Sequence, residues 1–423
     1  MSGVQKEKEP LRVLHVFGRL NLGGAESRTV ELYRAMDRNQ VQFDFLVHTD
    51  AKGVDTSSDA LMKARAPEHF DKTVRELGAR IFAVPRFRGS NIFMYKKALR
   101  RLFEEHRGEW AAVHGHMTST AAIYLKIAGE SGVPLLIAHA RNAGVDPGLK
   151  GVVTNLLRRP LRKKDCPYYR LAVSAGAGED VFGRDNMNNG NVYVIPNALH
   201  LSGYAYDSGN RERIRASLGV KDEILLGHVG RFHYQKNHDF LIRVFAACVK
   251  KALRSEERTP RRFRLLLIGE GERMSEIKAL ATEQGVGEDV IFAGKRSGMA
   301  AYYSAMDCFV FPSHYEGMPG AVLEAQAAGL PCLISDRITK ETDMTKLVKR
   351  MSLHESPETW AEMILSLCQH AGEQRDDRRT AASEEARCLL SERGFGTGRQ
   401  AERMMYFYRN GIIPDSNDEG QAV

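Results

Sequence analysis

The sequence has few of the residues that staple a small domain or anchor a chain in a bilayer. Its six cysteines, Cys166, Cys248, Cys308, Cys332, Cys368 and Cys388, include no CxxC pair, which argues against a zinc ribbon or a dithiol redox motif. Several sit in apolar runs such as MDCFVF and LPCLIS, as expected of buried, reduced thiols in a cytosolic protein. No run approaches the roughly 18–20 apolar residues that a membrane-crossing helix needs. The N-terminal MSGVQKEKEP lacks the apolar core of a signal peptide. The expected location is therefore the cytoplasm, or the inner face of the cell membrane as a peripheral protein. No strong excess of one charge is present either. The formal net charge of +8 fits an anionic small molecule, an anionic membrane or nucleic acid. Dispersed Asp and Glu and the lack of a recognisable module count against nucleic acid.

What is present is a rhythm. Short apolar runs alternate with helical patterns along all 423 residues, which predicts an α/β protein with parallel sheets and crossover helices. The first series of strands reads LRVLHVFG, VQFDFLVH, ARIFAVP, WAAVHGH, VPLLIAHA, RLAVSA and VYVIPNA. Most are apolar without polar alternation, as in strands covered on both faces. The pattern breaks over residues 198–222. A second series follows: ILLGHVGR, FRLLLIGEG, VIFAGK, CFVFPS and PCLISD. The reading is one Rossmann-like domain over 1–200 and a second over 201–390. A late helix over 391–412 is expected to pack back on the first, and the tail over 413–423 to be disordered.

In open parallel sheets ligands bind beyond the carboxyl ends of the strands, so the residues after each strand carry the chemistry. In CFVFPSHYEGMPGAVLEAQAAGLPCLISD, a buried strand leads into a Gly-bearing loop and then a helix, with Pro319 suited to its first position. Free backbone N–H groups at a helix start form an anion seat without side-chain charge. Glu316 lies in that loop and Glu324 in the helix; sugar hydroxyls suit the first and a ribose diol the second. Spacing alone is equally compatible with Glu316 as a cap and Glu324 as an exposed residue. In LGHVGRFHYQKNHDFLI, Arg231 and Lys236 follow a strand and can offset the charge of a departing diphosphate, or can be solvated loop cations. In HVFGRLNLGGAESRTVEL, Gly23 and Gly24 permit close backbone approach before a helix. That loop is neither a Walker A loop nor GxGxxG, which weakens the P-loop and dehydrogenase readings. After two further strands, His116 and the group His139, Arg141 and Asn142 are candidates to meet an acceptor hydroxyl or to be structural. His114 is expected on the opposite face from His116.

Together these segments resemble glycosyltransferase family 4, of the GT-B fold, and their wording is especially similar to bacterial capsule and exopolysaccharide glycosyltransferases. The most specific element is EGMPGAVLE, a Glu, seven residues, then Glu; the Arg231/Lys236 pair and the GGAE loop fall in the family's order. The resemblance implies two Rossmann-like domains facing across a cleft. It implies retaining transfer from a nucleotide-sugar donor, UDP-linked by analogy, with no cofactor and no obligatory metal. By position it assigns Arg231 and Lys236 to the donor diphosphate, Glu316 to the donor sugar and Glu324 to the ribose. The stretch Gly317, Met318, Pro319 and Gly320 would meet phosphate or sugar. Gly23 and Gly24 would close over the donor, and His116 would sit near the reacting sugar. Two departures are visible: Asn197-Ala198-Leu199-His200 lacks the family's Asp, and Gly320 stands where a larger residue is common. A nucleotide-sugar-binding or epimerase protein of the same fold is the alternative.

The expected acceptor is a saccharide, free or lipid-linked. LLRRPLRKK, residues 156–164, mixes leucines with five basic residues. It reads equally as a contact for an anionic membrane or as a solvated helix end, with Pro160 interrupting any long helix.

Overall fold

The computed structural model describes residues 9–50, 55–141, 149–254, 262–316, 318–369 and 375–414. The chain divides into two compact units, one of residues up to Leu199 together with those from Gly396 onward, the other of His200–Phe395.

The first unit runs β1 (Leu11–Val16), α1 (Gly24–Ala35), β2 (Val41–Thr49), α2 (Ser58–Ala64), α3 (Asp71–Glu76), β3 (Ile81–Pro85), α4 (Ile92–Glu105), β4 (Ala112–Gly115), α5 (Ala121–Glu130), β5 (Leu135–Ala140), α6 (Leu149–Arg158), β6 (Tyr169–Ala172), α7 (Ala175–Phe182), α8 (Arg184–Asn188) and β7 (Tyr193–Val194). The second runs α9 (Ser208–Ser217), β8 (Ile224–Val229), α10 (His238–Leu253), β9 (Phe263–Ile268), α11 (Met274–Glu283), β10 (Val290–Gly294), α12 (Met299–Ala305), β11 (Cys308–Phe311), α13 (Gly320–Ala327), β12 (Cys332–Ser335), β13 (Val348–Met351), α14 (Pro357–Cys368) and α15 (Arg375–Glu392). A last helix, α16 (Thr397–Asn410), returns to the first unit. Ala401, Met404, Phe407 and Tyr408 of α16 join the core under β1 and β2.

Each unit holds one parallel sheet, ordered β3-β2-β1-β4-β5-β6-β7 and β10-β9-β8-β11-β12-β13. The order reverses between β1 and β4 in the first and between β8 and β11 in the second. Loops leaving such a pair part to opposite faces and open a crevice at the carboxyl edge. The central strands are apolar on both faces because each sheet is covered twice: Leu14 and Val16 enter one core and Val13 and Phe17 the other.

The edge strand β13 has no counterpart among the expected strands. Its VKRM sequence is polar and only half-buried, and such edges need little apolar content. α9 is tied to the second sheet by Asp307, which accepts from Arg211 (2.7 Å), Arg215 (3.1 Å) and the Leu225 amide (2.9 Å). Cys248, Cys308, Cys332 and Cys368 are buried, and Cys388 is exposed. The charged stretch over residues 255–261 and the tail from residue 415 lie outside the described residues.

Candidate functional site

In the second unit the reversal point carries Arg231, Lys236, Glu316 and Glu324. After β8 the chain turns through Gly230 and Arg231 into a short 3-10 turn, Tyr234–Lys236. Asn237 then holds a left-handed conformation, φ 54°, and immediately precedes α10. Asparagine tolerates that region better than most residues, and its Nδ2 donates to the Pro312 carbonyl at 3.1 Å, which joins this loop to the one after β11. Two more bonds lock the loops: the His314 amide donates to the Gln235 carbonyl at 2.9 Å, and Gln235 Nε2 donates to the Tyr315 carbonyl at 3.0 Å.

Lys236 is thereby brought to Glu316, 80 positions away, with Nζ donating to Oε1 at 2.5 Å. The two side chains are 17% and 10% exposed. At that depth the pair has lost much of its water, so removing either member strands the other charge. The stem of Lys236 crosses Gly230, where a Cβ would lie 3.1 Å from its Cδ. Its ammonium sits 4.6 Å over the Phe311 ring, and the bed beneath is uncharged. Burial holds His228 and His238 neutral, the second lowered to about 3, with Lys236 adding to both effects. Arg231 is exposed and its side chain makes no hydrogen bond or ion pair among the described residues.

The loop after β9 packs tightly under this turn. Gly269 has φ +145°, and a Cβ there would lie 2.0 Å from the Gly230 carbonyl oxygen.

Pro319 is the residue before α13, extended at ψ 109°, not its first helical residue as expected. The amides of Gly320 and Ala321 open the helix, and no side chain caps it; these are orphan donors of a helix start. Glu324 is buried, 8% exposed, and its Oε2 accepts from the Tyr303 hydroxyl at 2.8 Å. Sequence reading missed Tyr303, because nothing in α12 marks it. Met318 is half-buried, while Gly317 lies outside the described residues.

In the first unit, Gly23 precedes α1 and Gly24 opens it. A Cβ on Gly23 would meet the Glu26 carboxylate at 2.4 Å, whereas Gly24 is open. Next to this turn the strand ends carry four stacked imidazoles. His114 and His116 lie on the same side of the sheet, their rings 4.5 Å apart and 18° from parallel. The expectation of opposite faces is corrected by strand geometry, since residues two apart share a face. His15 and His139 join them from β1 and β5. A period-two pattern at three strand ends, HVF, HGH and HAR, is the signal that could have revealed the group.

The hydrogen bonds run in two chains. Arg141 Nε donates to His116 Nδ1 at 2.9 Å, and His116 Nε2 meets His15 Nδ1 at 2.9 Å. Arginine cannot accept, so His116 carries its proton on Nε2 and donates to His15. His15 is then protonated at Nε2, a buried atom without a partner among the described residues. In the second chain His114 meets the Tyr408 hydroxyl at 2.7 Å and His139 at 2.9 Å. Burial, and then neighbouring positive charge including Arg141, pushes all four imidazoles well below their ordinary range. Burial also lowers Arg141, to about 10. Arg141 is fixed further by Asn197 Oδ1 at 2.6 Å. Both nitrogens of His116 are thus engaged within the protein, and any bond to a substrate would replace one of these. Nitrogens of His15, His114 and His116 come within 4.8 Å of one another, but the rings stack and already share protons with neighbours. Asn142 lies outside the described residues.

Residues 223–370 match the family described as "Glycosyl transferases group 1", and residues 23–198 match "Glycosyl transferase 4-like domain". The chain is similar to EpsF of Bacillus subtilis (strain 168), named as a glycosyltransferase, with 34% identity over 357 residues, 84% of this chain and 86% of that one. It is 32% identical over 147 residues to the UDP-Gal:alpha-D-GlcNAc-diphosphoundecaprenol alpha-1,3-galactosyltransferase of Escherichia coli, 34% of this chain and 36% of the other. Among solved structures, Anabaena Alr3699/HepE in complex with UDP and glucose superposes with TM-score 0.69 over 95% of this chain and 100% of that one, at 15% identity, a likeness of fold. With two parallel-sheet Rossmann-like units and matches that span most of both, the chain belongs to the group 1 glycosyltransferases and has the GT-B fold.

Proposed function

We propose that this enzyme is a retaining, metal-independent glycosyltransferase. It moves a sugar from a UDP-sugar to a saccharide acceptor carried on a lipid, in the assembly of a cell-surface polysaccharide. The observation that carries the reading is the Lys236–Glu316 pair at the reversal point of the second sheet, beside the open start of α13 and the exposed Arg231. Two cations and a helix start suit a diphosphate; a carboxylate in the same place suits sugar hydroxyls. The UDP donor and lipid-diphosphate acceptor named for the Escherichia coli relative support the choice of substrates.

An arriving diphosphate competes with Glu316 for the Lys236 ammonium. Lys236 moves to the phosphate, and Glu316 is released toward the donor sugar. The bond from the sugar C1 to the phosphate oxygen then breaks as the acceptor oxygen forms its bond on the same face. The acceptor proton passes to the departing phosphate. Arg231, Lys236 and the α13 amides stabilise the charge that grows on the diphosphate, and the protein works by positioning. Glu324, steadied by Tyr303, takes the ribose. Arg141 and the His116 group are the acceptor-side candidates of the first unit.

The test is release of UDP from UDP-sugars in the presence of membrane extract and EDTA, with the product's anomeric configuration read by NMR. Glu316→Gln is expected to lower turnover by about a hundredfold or more while UDP still raises the melting temperature. Wild-type turnover in Glu316→Gln, inversion at C1, or loss of activity in EDTA restored by a divalent metal would each contradict the reading. Free sugar as the product would indicate an epimerase.

A further inference from the structure

We propose that the start of α4 and the outer face of α6 form one docking surface for an anionic lipid bilayer. This deepens the acceptor reading above, since a lipid-carried acceptor is presented at a membrane surface. The apolar part consists of Phe93, which is 86% exposed, with Met94 on α4, and of Val152, Val153 and Leu156 on α6, the first of them 67% exposed. All five face solvent, and the inner face of α4 is filled: its Tyr95, Ala98, Leu99 and Leu102 lie in the core.

The topology places the two elements on one face of the first sheet, on either side of α5. α4, α5 and α6 are successive crossovers onto β4, β5 and β6, and right-handed crossovers lay them on one face of the sheet. Each begins at the carboxyl edge, with α5 between the other two. The exposed apolar side chains of both helices therefore belong to the same face of the first unit.

Charge identifies the partner. Residues 86–103 contain six Lys or Arg and no Asp or Glu, and residues 149–164 again contain six and none. Part of this charge is structural. Arg158 turns inward to Asp180 (3.2 Å) and Thr118 (2.9 Å), and Arg162 donates to the Val181 and Asp180 carbonyls. Arg86 and Arg88 share Asp50. Lys96, Lys97, Arg100, Arg159, Lys163 and Lys164 have no ion-pair partner among the described residues. The five basic residues of LLRRPLRKK thus reduce to three available ones, but α4 supplies three more that the sequence reading did not connect with them. A nucleic acid would use the cations and leave Phe93 and Val152 in water. A bilayer takes the apolar side chains into the acyl boundary and the cations into an anionic headgroup layer.

The experiment is flotation of the purified full chain with vesicles of phosphatidylcholine alone or of phosphatidylcholine mixed with phosphatidylglycerol, whose anionic headgroups give the surface its negative potential. Wild type is expected to float with the anionic vesicles, to stay behind with the neutral ones, and to be released as salt rises. Phe93→Ser/Val152→Ser/Leu156→Ser should lose about tenfold or more in partitioning, and Lys96→Gln/Lys97→Gln/Arg159→Gln a similar amount. A wild type that ignores anionic vesicles overturns the proposal, as does either triple variant partitioning like wild type. So does a wild type that dimerises through this face, with the apolar variant monomeric. The UDP-induced rise in melting temperature is read on every variant. Its retention shows a folded donor unit, and its absence from wild type refutes the nucleotide-sugar reading without touching the bilayer result.

Discussion

The stacked imidazoles make the first unit acid-sensitive, and the size of the effect follows from linkage. Five buried histidines lie there, His15, His48, His114, His116 and His139, and two in the second unit, His228 and His238. Burial lowers every one, His48 to about 4 and His238 to about 3. In the unfolded chain each returns to about 6.5. Above that pH neither state binds the proton and the stability is complete. Below it the unfolded state takes up protons that the folded state refuses, so stability falls as pH drops from 6.5 toward the depressed folded values. Between pH 7.5 and 5.5 each such imidazole costs about 1.4 kcal/mol. Five cost about 7 kcal/mol and two about 3 kcal/mol, against a typical domain stability of about 5–15 kcal/mol. The two tryptophans separate the units: Trp110 is buried in the first and Trp360 in the second. Urea unfolding followed by fluorescence, using Trp360→Phe to isolate Trp110 and Trp110→Phe to isolate Trp360, should show the first unit losing stability more than twice as steeply. Equal pH dependence of the two transitions, or a first unit unmoved at pH 5.5, would refute the buried-neutral assignment.

Other substitutions give sharper local outcomes. Gly269→Ala forces a side chain against the Gly230 carbonyl at a left-handed position. It should destabilise the second unit by about 2–4 kcal/mol and weaken UDP binding, both readable by thermal shift with and without nucleotide. Asp307→Ala removes the buried counter-charge of the Arg211 and Arg215 guanidinium groups and should cost about 3–5 kcal/mol in the Trp360-reported transition. Tyr303→Phe removes the hydroxyl bond to Glu324. It is expected to raise the donor KM a few-fold with kcat nearly unchanged; a large fall in kcat instead would place Glu324 in the chemical step.

Much of the fold was legible because its strands are doubly covered and read as unbroken apolar runs. LRVLHVFG and ILLGHVGR could hardly be anything else. β13 escaped because an edge strand needs little apolar content, and its VKRM carries two cations. The residues proposed for the donor were legible one by one from their places after strands. Their contact was not, because nothing local to HYQKN says that Lys236 will reach Glu316 80 positions on; only the adjacency of β8 and β11 does that. The imidazole group was hidden for the same reason, drawn from three strands and closed by Tyr408, 294 positions from its partner His114. Arg158 shows the limit of composition: it looked like one of five equivalent surface cations, yet it is 7% exposed and fixed to Asp180.

The proposed transfer depends most on Lys236 and Arg231 gripping a diphosphate beside α13. Isothermal titration of wild type, Arg231→Ala and Lys236→Ala with UDP and with uridine measures this directly. Each substitution should weaken UDP by about tenfold or more and leave uridine unchanged. UDP affinity in both variants equal to that of wild type would contradict it.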